Sequence, residues 1–257
     1  LVNDATICET ETLALKKSFV LDGNGYALYA EKQLQILAGD VEIQNVTFSS
    51  KRPLYVQNAK FTLGDKATID SLVDGNAAIW FYGNATGEIY GKVIAPKAYG
   101  VCLHTDKVTG NVPNTVLLDG ATIQAWGPAL YVNGSCGGHK VTAMNSTFTN
   151  TAEQCVYVSG QLNQGQTVTM TNCTVEGPTA IEEKHSDMTI TGCTLIATGD
   201  PTQYAQNNNG GTAIGYCFAT TSNSQNGKID PTSGSVTLSN VTYRPAVEGC
   251  EVFNSYA

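Results

Sequence analysis

The chain has 257 residues, and 14 Lys and Arg against 22 Asp and Glu give a net charge of −8. Only 14% of it is charged, against roughly 25% for an average globular chain; Gly (26), Thr (31) and Asn (20) fill the difference. Acidity without a Lys/Arg cluster excludes a nucleic-acid partner, the residue mix excludes a helical bundle, and Val, Ile, Leu and Tyr recurring throughout exclude disorder. The longest apolar stretches, such as Ala77–Tyr82, are far too short for a membrane span, so no membrane insertion is expected. The chain opens on Leu1, so a processed, mature form is expected.

In chain order, residues 1–25 come first. They hold an apolar run at Phe19–Leu21 and a DGNG turn at Asp22–Gly25, which predicts an N-terminal cap or a partial first turn covering an open end. From residue 26 to 257 two phrases recur. A lead phrase reads ALYA at Ala27, PLYV at Pro53, AIWF at Ala78, GVCL at Gly100, ALYV at Ala129, CVYV at Cys155, AIEE at Ala180, AIGY at Ala213 and EVFN at Glu251. A second, eight-residue phrase follows most of them, as in VEIQNVTF (41–48), VLLDGATI (116–123), VTAMNSTF (141–148), VTMTNCTV (168–175), MTITGCTL (188–195) and VTLSNVTY (236–243). Successive lead phrases are 22 to 38 residues apart, most near 25. That period predicts an all-β solenoid of about eight to nine turns with three strands each, stacked at roughly 4.8 Å per turn.

Alternation within the strands assigns their faces. Leu28, Leu54, Ile79, Val101, Leu130 and Val156 begin the inward set of the lead strand, while Thr47, Thr68, Thr122, Thr147, Thr174, Thr194 and Thr242 form one outward ladder on the closing strand. Asn45, Asn145, Asn172 and Asn240, with Gly120 and Gly192, precede that ladder, because Asn and Gly tolerate the left-handed backbone of a tight corner. Asn45, Asn84, Asn133, Asn145, Asn172 and Asn240 also lie in Asn-x-Ser/Thr sequons, but a structural corner role accounts for most of them. Cys173 and Cys193 share one inward position in successive turns and are expected as stacked thiols; a disulfide would need the right geometry. The remaining cysteines and the three histidines have no ligand spacing, so no metal and no cofactor is expected.

With these repeats the sequence resembles the right-handed parallel β-helix of the pectin-lyase-like superfamily over about residues 26–256. The resemblance implies the fold and its handedness; fold alone does not fix function. It also places polysaccharide-cleaving sites on the lead-strand side. Yet the Asp cluster or Arg base of those enzymes is missing here, since the only arginines are Arg52 and Arg244, and neither activity carries over.

Two candidate sites follow. The outward column of the lead strand reads Tyr29, Tyr55, Trp80, Cys102, Tyr131 and Tyr157, flanked by Tyr82 and His104. Rings so placed stack on one another and on sugar faces, which predicts a secreted or cell-surface module that binds carbohydrate or a surface protein, or joins copies of itself, along this ladder. In AIEEKHSD (180–187) charge replaces the aromatic phrase. Glu182, Glu183, His185 and Asp187 are the acid–base candidates of the alternative reading, a glycan-cleaving enzyme and rather a hydrolase than a lyase. Glu183 falls at an otherwise apolar position, where burial would raise its pKa. Two carboxylates at working separation are needed, and Glu182 requires Asp187 or Asp106 as its partner. The loops 199–211 and 219–234 flank this turn, and long loops on a regular scaffold carry function.

Overall fold

The computed structural model describes residues 1–8, 11–105, 110, 112–160, 165–200, 214–220, 224–225, 228–229 and 234–255. Among these there is no helix, and three long parallel sheets of ten, ten and nine strands run the length of the molecule, with one further two-stranded hairpin beside them. The chain visits the three sheets in strict rotation. One turn is Thr147–Asn150 in the first sheet, Gln154–Ser159 in the second and Gln166–Thr171 in the third. The next is Thr174–Gly177, Thr179–Lys184 and Ser186–Thr191. Each strand pairs in parallel with its counterparts one turn before and one turn after, so the protein is a parallel β-helix. Segment 1–25 supplies Ala5–Ile7, Leu13–Leu15 and Phe19–Asp22, the terminal strand of each sheet. Those strands carry the stack to nine complete turns and two strands of a tenth among the described residues.

Inward residues form continuous columns. In the first sheet Leu28, Phe48, Ile69, Val93, Ile123, Phe148, Val175 and Leu195 stack in register and all are buried. In the second, Leu54, Ile79, Val101, Leu130, Val156 and Ile181 do the same. A side chain at each inward position touches its equivalents above and below, so one truncation opens a cavity in a close-packed bore. Gly87 shows how tight the packing is: a Cβ there would lie 2.4 Å from Cζ of Phe81, so the missing side chain makes room for that ring.

The corners match their expected chemistry. Asn45, Asn145, Asn172 and Asn240 have φ of 50 to 53°, and Gly120 and Gly192 have φ of 65°. Asn58 and Asn84 hold the same conformation at the corner between the second and third sheets. Their amides bond along the axis: Nδ2 of Asn45 donates to Asp22, of Asn84 to Asn58 and of Asn145 to Asp119. At these three sequons the atom a glycan would occupy is engaged in the ladder. The threonine column is continuous from Thr47 to Thr242 except for Lys92 between Thr68 and Thr122.

The register corrects three alignments. ALYA (27–30) lies in the first sheet, where Tyr29 pairs with Thr6 and Ser49, and Gln35 takes its expected place beside Tyr55. Phe218, not Ile214, pairs with Ile181, and Phe253 rather than Val252 follows Phe218. Short apolar phrases occur in all three sheets, and corner length decides which of them stack.

Candidate functional site

The outward column of the second sheet runs Gln35, Tyr55, Trp80, Cys102, Tyr131, Tyr157, Glu182 and Ala219. Tyr29 is therefore not part of the ladder, because it stands on a different face. Beside the column, Tyr82 pairs with His104, and Ser159 with Lys184.

Its first half is an aromatic cluster. Tyr82 and His104 stack with ring centroids 4.9 Å apart and planes 13° apart. Tyr55 lies 5.2 Å from Tyr82, and Trp80 meets Tyr82 edge-on at 5.2 Å and His104 at 5.6 Å. Tyr55, Trp80, Tyr82 and His104 are all half-buried, so the cluster keeps open ring surface. Hydrogen bonds fix its members: Nε1 of Trp80 donates to Sγ of Cys102 at 3.0 Å, and the Tyr55 hydroxyl donates to Oε1 of Gln57 at 3.2 Å. One turn on, Tyr131 stacks on Tyr157 at 5.2 Å and takes an edge contact from Tyr99. Nδ2 of Asn133 donates to the Tyr131 hydroxyl at 2.9 Å. Alongside Trp80 runs an open groove of about 520 Å³, lined also by Glu11, Thr12, Lys32, Gln33, Arg52, Pro53 and Asn76.

The second half is charged and buried. Glu182 is 0% exposed and Lys184 3%, although both project from the outer side of the sheet. Nζ of Lys184 lies 3.2 Å from Oε1 of Glu182 and 5.1 Å from the centre of the Tyr157 ring, so one cation serves both a carboxylate and a π face. Burial pushes the Tyr157 hydroxyl well above its ordinary pKa, with the Glu182 charge adding to it. Glu153 lies within electrostatic reach of Glu182; burial first, and then that neighbouring charge, hold its pKa up. Glu153 was not singled out in the sequence, where it stands in a plain TAEQ turn outside both repeated phrases.

The other three acid–base candidates are also engaged. Glu183 points inward in the column of Val158, is 3% exposed and accepts a 2.9 Å bond from the Ser186 hydroxyl. Burial raises its pKa to about 7 in spite of that bond, the direction expected for a carboxylate at an apolar position. His185 is the single residue between two strands, at φ 58°, and is buried. Asp187 is exposed and accepts from both N–H and Oγ of Ser235 at 2.9 Å; the backbone bond, then the hydroxyl, lowers its pKa. Asp106 and most of the loops 199–211 and 219–234 lie outside the described residues.

A further buried polar cluster lies where the second sheet passes to the third. His139 is fully buried. Its Nδ1 accepts from the Asn114 backbone N–H at 2.9 Å, so in the neutral ring Nε2 carries the proton. Sγ of Cys136 stands 3.6 Å from that Nε2. The histidine thus donates toward sulfur and is no base for the thiol. Burial lowers the His139 pKa to about 4 and raises that of Cys136 to about 11, opposite to a thiolate–imidazolium pair. Gln166 completes the cluster by accepting from the His139 N–H and donating to the carbonyls of Cys136 and Ser159, each at 2.8 Å. Cys136 and His139 stand three residues apart in sequence, a spacing with no signal until Asn114 and Gln166 are placed around them. Among the described residues no group of three or more His, Cys, Asp or Glu is placed to hold a metal ion, and no helix is long and apolar enough to cross a membrane.

Comparisons with protein-family models, with curated proteins and with solved structures found no match for this chain.

Proposed function

We propose that this β-helix is a secreted or cell-surface module that binds carbohydrate along the outer face of its second sheet, at Tyr55, Trp80, Tyr82 and His104. The observation that carries the reading is the pairing of half-open, mutually braced rings with the adjoining Trp80 groove. Aromatic faces stack on the C–H faces of sugars, and the Arg52, Lys32, Gln33 and Asn76 side chains bordering the groove can reach hydroxyls. Bracing matters because rings already fixed lose little conformational freedom on binding. The binding surface lies one to three turns nearer the N-terminus than Tyr131, because Tyr157 is buried and the Tyr131 ring is stacked on it and met edge-on by Tyr99.

The pectin-lyase-like resemblance is consistent with a carbohydrate partner through fold-level analogy alone. The cleaving alternative draws on Glu182 and Glu153, two carboxylates in one neighbourhood with different environments, the arrangement that separates an acid from a nucleophile or base. Against it, Glu182 is buried and held by Lys184, and Glu183 and Asp187 are committed to Ser186 and Ser235.

Binding should be measured by glycan array and by affinity electrophoresis in soluble polysaccharides. The Trp80→Ala/Tyr82→Ala variant is expected to lose at least about tenfold in affinity, on the order of 1.4 kcal/mol. Full retention of binding by that variant would overturn the proposal. Reducing-sugar release that vanishes in Glu182→Gln and Glu153→Gln would replace it with the cleaving reading.

A further inference from the structure

Cys173 and Cys193 open the first-sheet strands of two successive turns, each one residue before Thr174 and Thr194, which pair directly. Both side chains enter the bore and are 1% exposed, and both are free thiols. The backbone N–H of Cys173 points at Sγ of Cys193, 3.3 Å away. Each thiol donates to a carbonyl two residues back, Cys173 to Thr171 at 3.4 Å and Cys193 to Thr191 at 3.5 Å. The sulfurs therefore hang from the same corner in the same orientation, one above the other. Adjacent parallel strands are about 4.8 Å apart, inside the roughly 4.4–6.8 Å Cα separation that a disulfide spans. The pair is close to solvent although it is buried: the residues before the two cysteines, Asn172 and Gly192, are exposed, and Gly192 puts no side chain over the site.

We propose that Cys173 and Cys193 form an oxidation site, a dithiol that hydrogen peroxide converts to a disulfide joining two successive turns of the helix. Cys193 is the attacking sulfur, because the Cys173 backbone N–H points at it and favours its thiolate. Contact with the Cys173 thiol draws its pKa down, while the same contact holds the Cys173 proton on. The Cys193 thiolate attacks one peroxide oxygen; an S–O bond forms, the O–O bond breaks, and the hydroxide released takes the Cys173 proton to become water. The Cys173 sulfur then attacks the Cys193 sulfenic acid; an S–S bond forms, the S–O bond breaks, and a second water leaves with the proton first lost by Cys193. The two sulfurs lose two electrons in all and the peroxide gains them. Peroxide is close to water in size and can reach the bore through opening of the corner, whereas a bulky disulfide such as oxidised glutathione has no room to form a mixed intermediate there.

The test is to treat the native protein with hydrogen peroxide, quench with an alkylating agent in denaturant, and map the peptides without reduction. A Cys173–Cys193 cross-linked peptide is expected, with the intact mass lower by two hydrogens and the thermal midpoint raised by roughly 5–10 °C over the reduced protein. Cys193→Ala should show no cross-link and leave Cys173 fully alkylated; the wild-type map alone decides the matter if that variant does not fold. Recovery of both cysteines as alkylated thiols, with oxidation confined to the exposed Cys8 and to methionine, would overturn the proposal. Neither result bears on carbohydrate binding, which involves another face.

Discussion

Along one ladder of the second sheet, the turns that carry Tyr55, Trp80 and Tyr82 and the turns that carry Tyr157 and Glu182 hold the same backbone position and the same outward parity. The first group is only partly buried. In the second, Tyr157 is 9% exposed and Glu182 0%. Position on a solenoid face thus sets direction but not accessibility. Open rings can serve a partner, whereas a buried ion pair serves the fold, and even then breaking one is costlier than replacing both partners.

The sharpest way to break this comparison is Lys184→Met, which leaves Glu182 buried without its cation. Loss of about 3–5 kcal/mol in urea unfolding is expected, with much of it regained in Glu182→Gln/Lys184→Met. A loss under 1 kcal/mol would mean that the ion pair is in effect solvated and that both halves of the ladder are open.

Glu183 comes next, and its sign follows from linkage. Its folded pKa of about 7 lies above the ordinary glutamate value of 4.5, so between these pH values the unfolded chain releases a proton that the fold retains. Stability should therefore fall as pH rises from 4.5 through 7. Glu183→Gln should remove that slope and raise stability at pH 8 by about 2–3 kcal/mol. His139 acts at the other end. Its folded pKa of about 4 lies below 6.5, so stability should fall as pH drops from 6.5 through 4, by about 2–3 kcal/mol in all. Replacing His139 with Gln should flatten that acid limb in a pH series of thermal melts, whatever it does to overall stability. The smallest expected effect is Tyr131→Phe, which removes the hydroxyl that accepts from Asn133 and costs about 1 kcal/mol; unchanged carbohydrate binding in that variant would keep the binding surface at Trp80.

Much of this was legible in the residues. The left-handed corners at Asn45, Asn145, Asn172 and Asn240, the threonine ladder and the inward column from Leu54 to Ile181 follow from backbone preference and two-residue alternation, which are local. ALYA and AIGY look like lead strands, but ALYA falls in the first sheet and the second-sheet strand pairs Phe218 rather than Ile214 with Ile181, so neither Tyr29 nor Ile214 joins the column. The site was less legible than the fold. The inward position of Glu183 and its raised pKa could be read from parity, but neither the Lys184–Glu182–Tyr157 cluster nor the Asn114–Cys136–His139–Gln166 network could. Each network joins turns separated by about 25 residues through side chains that give no periodic signal.

The sequence by itself determined the period, the strand faces and the corner chemistry, because each is written in the preferences of neighbouring residues. Only the tertiary structure decided which outward side chains meet solvent. That depends on what packs over a strand from elsewhere in the chain, and it is why Trp80 lines a groove while Glu182, four rungs further along the same column, is sealed beside Lys184.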